Sequence, residues 1–507
     1  MKKIILGIFL IICLFFSAMN NVEAKNAIEN VDLVQLEEYI EQEMNKHKIP
    51  GMAFVLIANA EPVYMKGFGS QKIGSDIKVD GQTNFGLASV SKSMTALAVA
   101  QLAEQGLLDV DATVVEYLPW FVSQNQELSK QVTIRQLLQH SSGIPTNSYG
   151  LEIEDSSNYG LERQVKRIRE IKLVSVPGEN FEYSNFNYWT LGLIIEKVSG
   201  MNYQEAMNKL VFQPMGMERT GFYTKVSNLN NLSVGHRLEG GKNKPFDYTD
   251  PYPTVAAGGI YSNAQDIGRY ITTLLHDGQY KGRQVIPSEA VRELFMETFS
   301  ISDNEQYGYG WEISQEANTK VIDHGGDNPN FTADVYLFPD YSLGFALLSN
   351  SQNDVTHSIS ENIKNNILGK KLEQAASWKE DEYQLAKVIL FVASGLLGLI
   401  TLYVLSMVWR FRQFKLVFTM KINRIKIIFQ LILFPIIFLG AAAVGFYFPI
   451  FVIGSYHIAI LYAPDLVYSI IVLSSALLLI GLLFIISAFI RSTKYIHHEK
   501  GNFIVTK

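Results

Sequence analysis

The chain has 507 residues, of which 48% are hydrophobic and only 18% charged, with a formal net charge of −6. That length exceeds an ordinary single domain, while 12% aromatic residues and the lack of an internal repeat exclude disorder, collagen and coiled coil. A single cysteine, Cys13, excludes a disulfide scaffold.

In chain order, Lys2 and Lys3, the apolar run Ile4–Phe16 and the small-residue site Val22-Glu23-Ala24 read as a secretory signal over 1–24. The run is too short to cross a bilayer unaided, and its removal takes Cys13 with it. Leu33, Leu36, Ile40 and Met44 recur at helical spacing and predict an amphipathic helix over 31–47. Met52–Ala58 and Pro62–Gly69 flank Asn59-Ala60-Glu61 and predict a β-hairpin. The segment 87–107, rich in Ala, Leu, Met and Gln, predicts the strongest helix. Residues 110–290 are expected to be mostly helical, punctuated at Gly143-Ile144-Pro145 and Pro177-Gly178. Strands return at Gly310–Ser314, Phe331–Phe338 and Leu343–Leu348, before a helix over 354–368. The order predicts an α+β domain over 25–368: an antiparallel sheet built from both chain ends, flanked by helices and carrying a helical subdomain. A polar linker is expected over 369–387.

Three uncharged stretches follow, Val388–Trp409, Ile427–Ile453 and Leu466–Ile490, each long enough to cross a bilayer as a helix. Arg410, Arg412, Lys415, Lys421, Arg424 and Lys426 separate the first two, and no Lys or Arg separates the last two. Arg491, Lys494, Lys500 and Lys507 follow the third. The positive-inside rule then puts the first connection and the tail 491–507 in the cytoplasm, and residues 25–386 outside a cell membrane crossed three times. On that layout the exported part carries 30 basic and 46 acidic residues, a net of −16, which argues against nucleic acid as a partner. The spans have no central charge, which argues against a transport pathway. Gly440, Ala441, Ala442, Ala443 and Gly445 suit close helix packing amid lipid, within one chain or between copies in an oligomer.

The chain has no G-x-S-x-G elbow, H-E-x-x-H, C-x-x-C or phosphate-binding glycine loop. Its nine histidines lack metal-ligand spacing, so neither metal nor cofactor is expected. Ser89-Val90-Ser91-Lys92 opens the strongest helix. There the helix N-terminus favours developing negative charge, and a partly desolvated lysine three residues on can take a hydroxyl proton. Alone, S-x-x-K is a weak signal that recurs by chance, and it reads more simply as an N-capping serine beside a solvated lysine. Two further elements join it: Tyr183-Ser184-Asn185, read as a loop, and His324-Gly325-Gly326, introducing a strand that a substrate backbone could approach closely. Tyr261-Ser262-Asn263 repeats the middle tripeptide, and only order and context favour the first copy.

Taken in order, these three motifs resemble the serine β-lactamase and penicillin-binding-protein superfamily, in its class C and DD-peptidase branch. Gln136–Pro145, Ala257–Ser262 and Gly308–Trp311 are similar to further stretches of that family. The resemblance implies a β-lactamase-like sheet and an acyl-enzyme on Ser89. It implies that Lys92 and Tyr183 handle the proton and that Asn185 orients a substrate amide. The backbone N–H groups of Ser89 and Asp327 would form an oxyanion hole. Tyr261 would then belong to the site wall. The third motif departs from the usual lysine, since His324 is largely neutral at pH 7 unless a neighbour such as Asp323 raises its pKa. A peptidase or esterase acting on a small peptide or ester is therefore expected ahead of penicillin hydrolysis.

The whole layout also resembles membrane-bound peptidases that remove an N-acyl-D-asparagine cap from antibiotic or toxin precursors, the colibactin-maturing peptidase among them. Gram-positive penicillin-binding-like wall proteins share it. Asn328 matches a residue that reads the D-asparagine side chain in those peptidases. Asn185 and Tyr261 stand where a serine and a histidine are expected. A wall-fragment sensor without turnover is the reading from another class, and the short cytoplasmic segments offer it no output domain.

Overall fold

The computed structural model describes residues 31–146, 157, 159–222, 231–248, 252–413, 415–418, 425 and 427–492. The signal expected over 1–24 and all of the expected tail beyond Ser492 lie outside them. The chain divides into two units, Met1–Ser377 and Trp378–Lys507.

The first unit opens with helix α1 (Leu33–Lys46), started by Asp32, whose carboxylate accepts from the backbone N–H of Val34 and Gln35. The hairpin follows as β1 (Gly51–Ala58) and β2 (Glu61–Gly69). Its turn residues Asn59 and Ala60 both take positive φ, which suits the right-handed twist of the strands. Helix α2 (Ser91–Glu104) is buried at every position from Ser91 to Leu102, so apolar side chains surround it instead of forming one stripe. Helices α3 (Asn185–Ser199) and α4 (Ala264–Leu275) belong to the middle of the chain. The remaining sheet strands are β3 (Phe299–Ser302), β4 (Glu305–Tyr307), β5 (Glu312–Glu316), β6 (Thr319–Asn328), β7 (Phe331–Phe338) and β8 (Leu343–Ser349), followed by helix α5 (Val355–Ile367).

The sheet has eight strands in the order β3-β4-β5-β6-β7-β8-β1-β2, with neighbours antiparallel. The N-terminal hairpin thus closes onto the last strand, with Met52 opposite Ser349 and Ala58 opposite Leu343. Inside the sheet, β1 is buried on both faces, and the two-residue alternation of a strand divides it between two cores. Met52, Phe54 and Leu56 pack with Leu36 and Ile40 of α1 and Ile359 and Ile363 of α5. Ala53, Val55 and Ile57 join the larger core with Leu97 of α2 and Ile267 and Ile271 of α4.

The expected α+β architecture is present, with two differences of detail. The middle region holds short strands as well as helices, such as His236–Glu239 paired with Lys242–Pro245. The sheet also gains strands from polar sequence. The β6 segment carries Asp323, His324, Gly325, Gly326 and Asp327, poor strand formers that pairing with β5 and β7 holds extended.

In the second unit, helices α6 (Trp378–Arg412), α7 (Phe434–Ile453) and α8 (Pro464–Ala488) correspond to the three uncharged stretches. Three helical segments, Trp378–Arg412, Ile427–Val452 and Pro464–Ala488, are long and apolar enough to cross a membrane. The second part of the expected linker is helical, because α6 begins at Trp378 with Glu380 and Asp381 in its first turn, where the helix dipole favours acids. Close packing of α7 on α8 uses Gly445, where a β-carbon would strike Ser474 Oγ, and Gly481, where it would stand 2.8 Å from Leu439 Cδ2. Gly440 meets nothing within 4 Å.

Candidate active site

Ser89 sits in a 3-10 turn, Ala88–Val90, immediately before α2, and is half-buried. Ala88 is held at φ +47°, a left-handed conformation that costs an L-residue energy and persists only where its surroundings impose it. One helical turn on, Lys92 is fully buried, and its Nζ donates to Ser89 Oγ at 2.9 Å and to the Ala257 carbonyl at 2.8 Å. The same ammonium lies 5.0 Å from the ring centre of Tyr183 and 5.8 Å from that of Tyr188. Such ring faces attract a desolvated cation.

Tyr183 is positioned from beneath by His140, with ring centres 4.2 Å apart. His140 Nδ1 accepts from the Ser184 backbone N–H at 3.1 Å and from Asn187 Nδ2 at 3.0 Å, so the ring proton belongs on Nε2. Burial, with the charge of Lys92 nearby, holds this imidazole well below the usual histidine range. Ser184 occupies the N-cap position, and Asn185 is the first residue of α3 rather than part of a loop. Asn185 Oδ1 is buried and makes no hydrogen bond.

The third motif lies within β6. His324 Nδ1 contacts the Gly325 carbonyl at 2.6 Å, which assigns the proton to Nδ1 and leaves Nε2 to accept from Tyr307 Oη at 3.0 Å. Burial and the charge of Lys92 push His324 down to about 3, so the ring is neutral. Asp323 does not oppose this. Adjacent strand residues face opposite sides, and burial beside Glu312 and Asp334 drives the Asp323 carboxyl well above the carboxylate range. His324 stays close to Tyr183, with ring centres 6.3 Å apart.

The two glycines serve opposite faces of the strand. A β-carbon on Gly326 would strike the Leu87 carbonyl and stand 2.8 Å from the Ser89 nitrogen, so β6 meets the serine turn backbone to backbone. A β-carbon on Gly325 would stand 3.1 Å from Asp334 Oδ1. Asp327 directs its side chain away, accepting from Thr332 Oγ1 at 2.8 Å and pairing with His357 at 2.9 Å. Asn328 is buried, its amide 3.5 Å from the Gly258 carbonyl.

Ser89, Lys92, Tyr183, His324 and Gly326 are thus brought together. The rival tripeptide is occupied otherwise: Tyr261 is buried edge-on to Phe331, and Asn263 caps α4 by accepting from the Asp266 N–H. Sequence reading passes over Tyr307 and His357, and names Ala257 only as the first residue of Ala257–Ser262. It includes His140 only as one letter of Gln136–Pro145.

A family model described as Beta-lactamase matches residues 36–366. The chain belongs to the β-lactamase family. This β-lactamase-family chain is 25% identical over 389 residues to Protein flp of Staphylococcus aureus (strain MRSA252), covering 76% of each chain. It is 28% identical over 291 residues to the Putative penicillin-binding protein PbpX of Bacillus subtilis (strain 168), covering 57% of this chain and 69% of that one. Among solved structures it is similar to the octameric penicillin-binding protein homologue from Pyrococcus abyssi. That likeness has a TM-score of 0.59 at 28% identity and covers 70% of this chain and 82% of the other. As a member of the β-lactamase and penicillin-binding-protein family it is a serine hydrolase.

Proposed function

We propose that the protein is a membrane-anchored hydrolase that forms an acyl-enzyme on Ser89, with peptides containing D-amino acids, or related esters, as substrates. The observation that carries this reading is the 2.9 Å hydrogen bond from the buried Lys92 Nζ to Ser89 Oγ beneath the Tyr183 ring. In the reaction Ser89 Oγ attacks the substrate carbonyl, and its proton passes to the phenolate of Tyr183 or to Lys92 in its neutral amine form, since an ammonium there can only donate. The oxyanion rests on the N–H groups of Ser89 and Asp327, and the unpaired Oδ1 of Asn185 accepts from a substrate amide. Collapse expels the amine or alcohol, which takes up the proton, and water then releases the acid.

The neutral His324 supports a substrate without a free carboxylate at that position, since no fixed cation stands where the family usually has lysine. The three apolar helices support anchoring, and the basic residues between the first two support an extracytoplasmic catalytic domain with a cytoplasmic C-terminus.

The test is incubation of the full chain and of Ser89→Ala with N-acyl-D-asparaginyl amides, D-Ala-D-Ala peptides, short-chain esters and a penicillin, with products read by mass spectrometry. Cleavage of a peptide or ester by the wild type alone is expected. Equal cleavage by Ser89→Ala, or no product and no adduct with either, overturns the reading.

A further inference from the structure

Behind the serine turn, on the opposite face of β6, one histidine bridges two strands. His357, on α5, has Nε2 2.9 Å from Asp327 Oδ2 and Nδ1 2.7 Å from Asp334 Oδ1. Carboxylates only accept, so an imidazole meeting one at each nitrogen donates from both and carries a positive charge. The two carboxylates hold it well above the usual histidine range despite its partial burial. Asp327 lies on β6 and Asp334 on β7, and Gly325 leaves the space that the pair occupies.

We propose that His357 is a positioning residue, an imidazolium that clamps β6 to β7 and so keeps the Gly326–Asp327 backbone against Ser89. The proposal rests on the serine-hydrolase reading, because that backbone is where the oxyanion would lie.

The charges around the clamp make the cation matter. Glu312 faces it from β5, pushed up to about 7 by burial and by Glu305 and Asp334, with His357 opposing. Asp323 of β6 lies in the same acidic group. On its own helix, Glu361 is engaged by Lys364, which also holds Glu316. When His357 loses its proton, the buried carboxylate of Asp334 and that of Asp327 are left facing each other, and the strand segment they fix is released. Activity is therefore present while His357 is charged and falls as pH rises through its pKa.

The experiment measures the rate at which a fluorophosphonate reagent modifies Ser89 in the full chain in detergent, by intact mass, from pH 5.5 to 10. His357→Gln, which cannot donate from two positions, is compared with His357→Lys, which keeps a cation, and melting temperatures verify folding. The wild type is expected to lose rate at the alkaline end. His357→Gln should react ~10-fold more slowly at pH 7 and lack that limb, whereas His357→Lys should retain most of the rate and move the limb upward. Folded His357→Gln with the wild-type rate and profile overturns the clamp, as do Gln and Lys variants that are equally slow. Failure of the wild type to react, or reaction of Ser89→Ala, strikes the serine reading instead. The clamp is then decided by imidazole nitrogen NMR: a doubly protonated His357 at pH 8, lost in Asp334→Asn, supports it, and a neutral ring at pH 7 overturns it.

Discussion

Gly326 lies so close to Ser89 that a β-carbon on it would stand 2.8 Å from the serine nitrogen and 3.1 Å from the β-carbon of Ala88. The strand and the turn therefore share one backbone interface with no side chain between them. Gly326→Ala is expected to push Ser89 out of line and to lower turnover at least ~100-fold. Because the clash is with the backbone of Leu87 and Ser89, the cost in stability should be at least about 1–3 kcal/mol. Parallel kcat and melting measurements check this, and wild-type kcat would show that β6 does not fix the serine turn.

Lys92 and Tyr183 are in contact, so their contributions should not add. Lys92→Met keeps the length and packing over the two tyrosine rings while removing the amine. Each of Lys92→Met and Tyr183→Phe is expected to slow acylation by roughly 100-fold or more, and the double variant by little beyond Lys92→Met. Pre-steady-state acylation rates for the four proteins give the answer, and strict multiplication of the two losses would contradict a shared proton path.

His140 accepts two buried hydrogen bonds, from the Ser184 N–H and the Asn187 amide. His140→Phe fills the space and strands both donors, for an expected loss of roughly 2 to 4 kcal/mol. Urea unfolding followed by tryptophan fluorescence measures it. An unchanged midpoint would mean that these donors find other acceptors.

Buried neutral histidines also shape the pH dependence of stability. His324 is held down to about 3, and His140 is displaced in the same direction. Between that pKa and the unfolded value near 6.5, the unfolded chain binds the extra proton, so these residues make stability fall as pH drops through that window. His324→Asn should flatten the fall in melting temperature between about pH 6.5 and 4. A slope identical to that of the wild type would show that His324 is charged in the folded state.

Within the helical unit, two glycines of one helix make contrasting predictions. Gly445→Val meets Ser474 and should lower the melting temperature of the full chain in detergent by several degrees, whereas Gly440→Val, facing open space, should leave it within about one degree. Equal effects would show that α7 and α8 pack differently.

Much of this structure is legible in the sequence because local signals and the final contacts agree. The hairpin over 52–69 sets an apolar run and a second strand either side of its turn residues, α2 is rich in helix formers, and Ser89 and Lys92 are one helical turn apart. The motif order names Tyr183 and His324 although they are distant from Ser89 in the chain. What sequence alone does not reveal depends on tertiary environment. Strand β6 is extended through its partners on either side, not through its own residues. His140 acts through two hydrogen bonds and Tyr307 through the one to His324, none of which a pattern records. His357 lies in an ordinary amphipathic helix, and its charge follows from two aspartates on other strands. The tyrosine tripeptides are identical as letters, and only their surroundings separate them: Tyr183 lies beside Lys92, whereas Tyr261 packs on Phe331 and Asn263 caps α4.

The pairing of Met52 with Ser349 has a consequence during biosynthesis. Strand β1 is made early, with β2 as its only available partner, and its other edge stays open until β8 has been translated. That waiting edge is apolar on both faces, the kind of surface that recruits a second chain. A chain that stops before Leu343 leaves that edge of β1 unpaired, and is expected to aggregate rather than to work as a smaller hydrolase. Intact chains face the same interval, so the speed with which β8 arrives, and the holding of β1 until then, sets the yield of native protein.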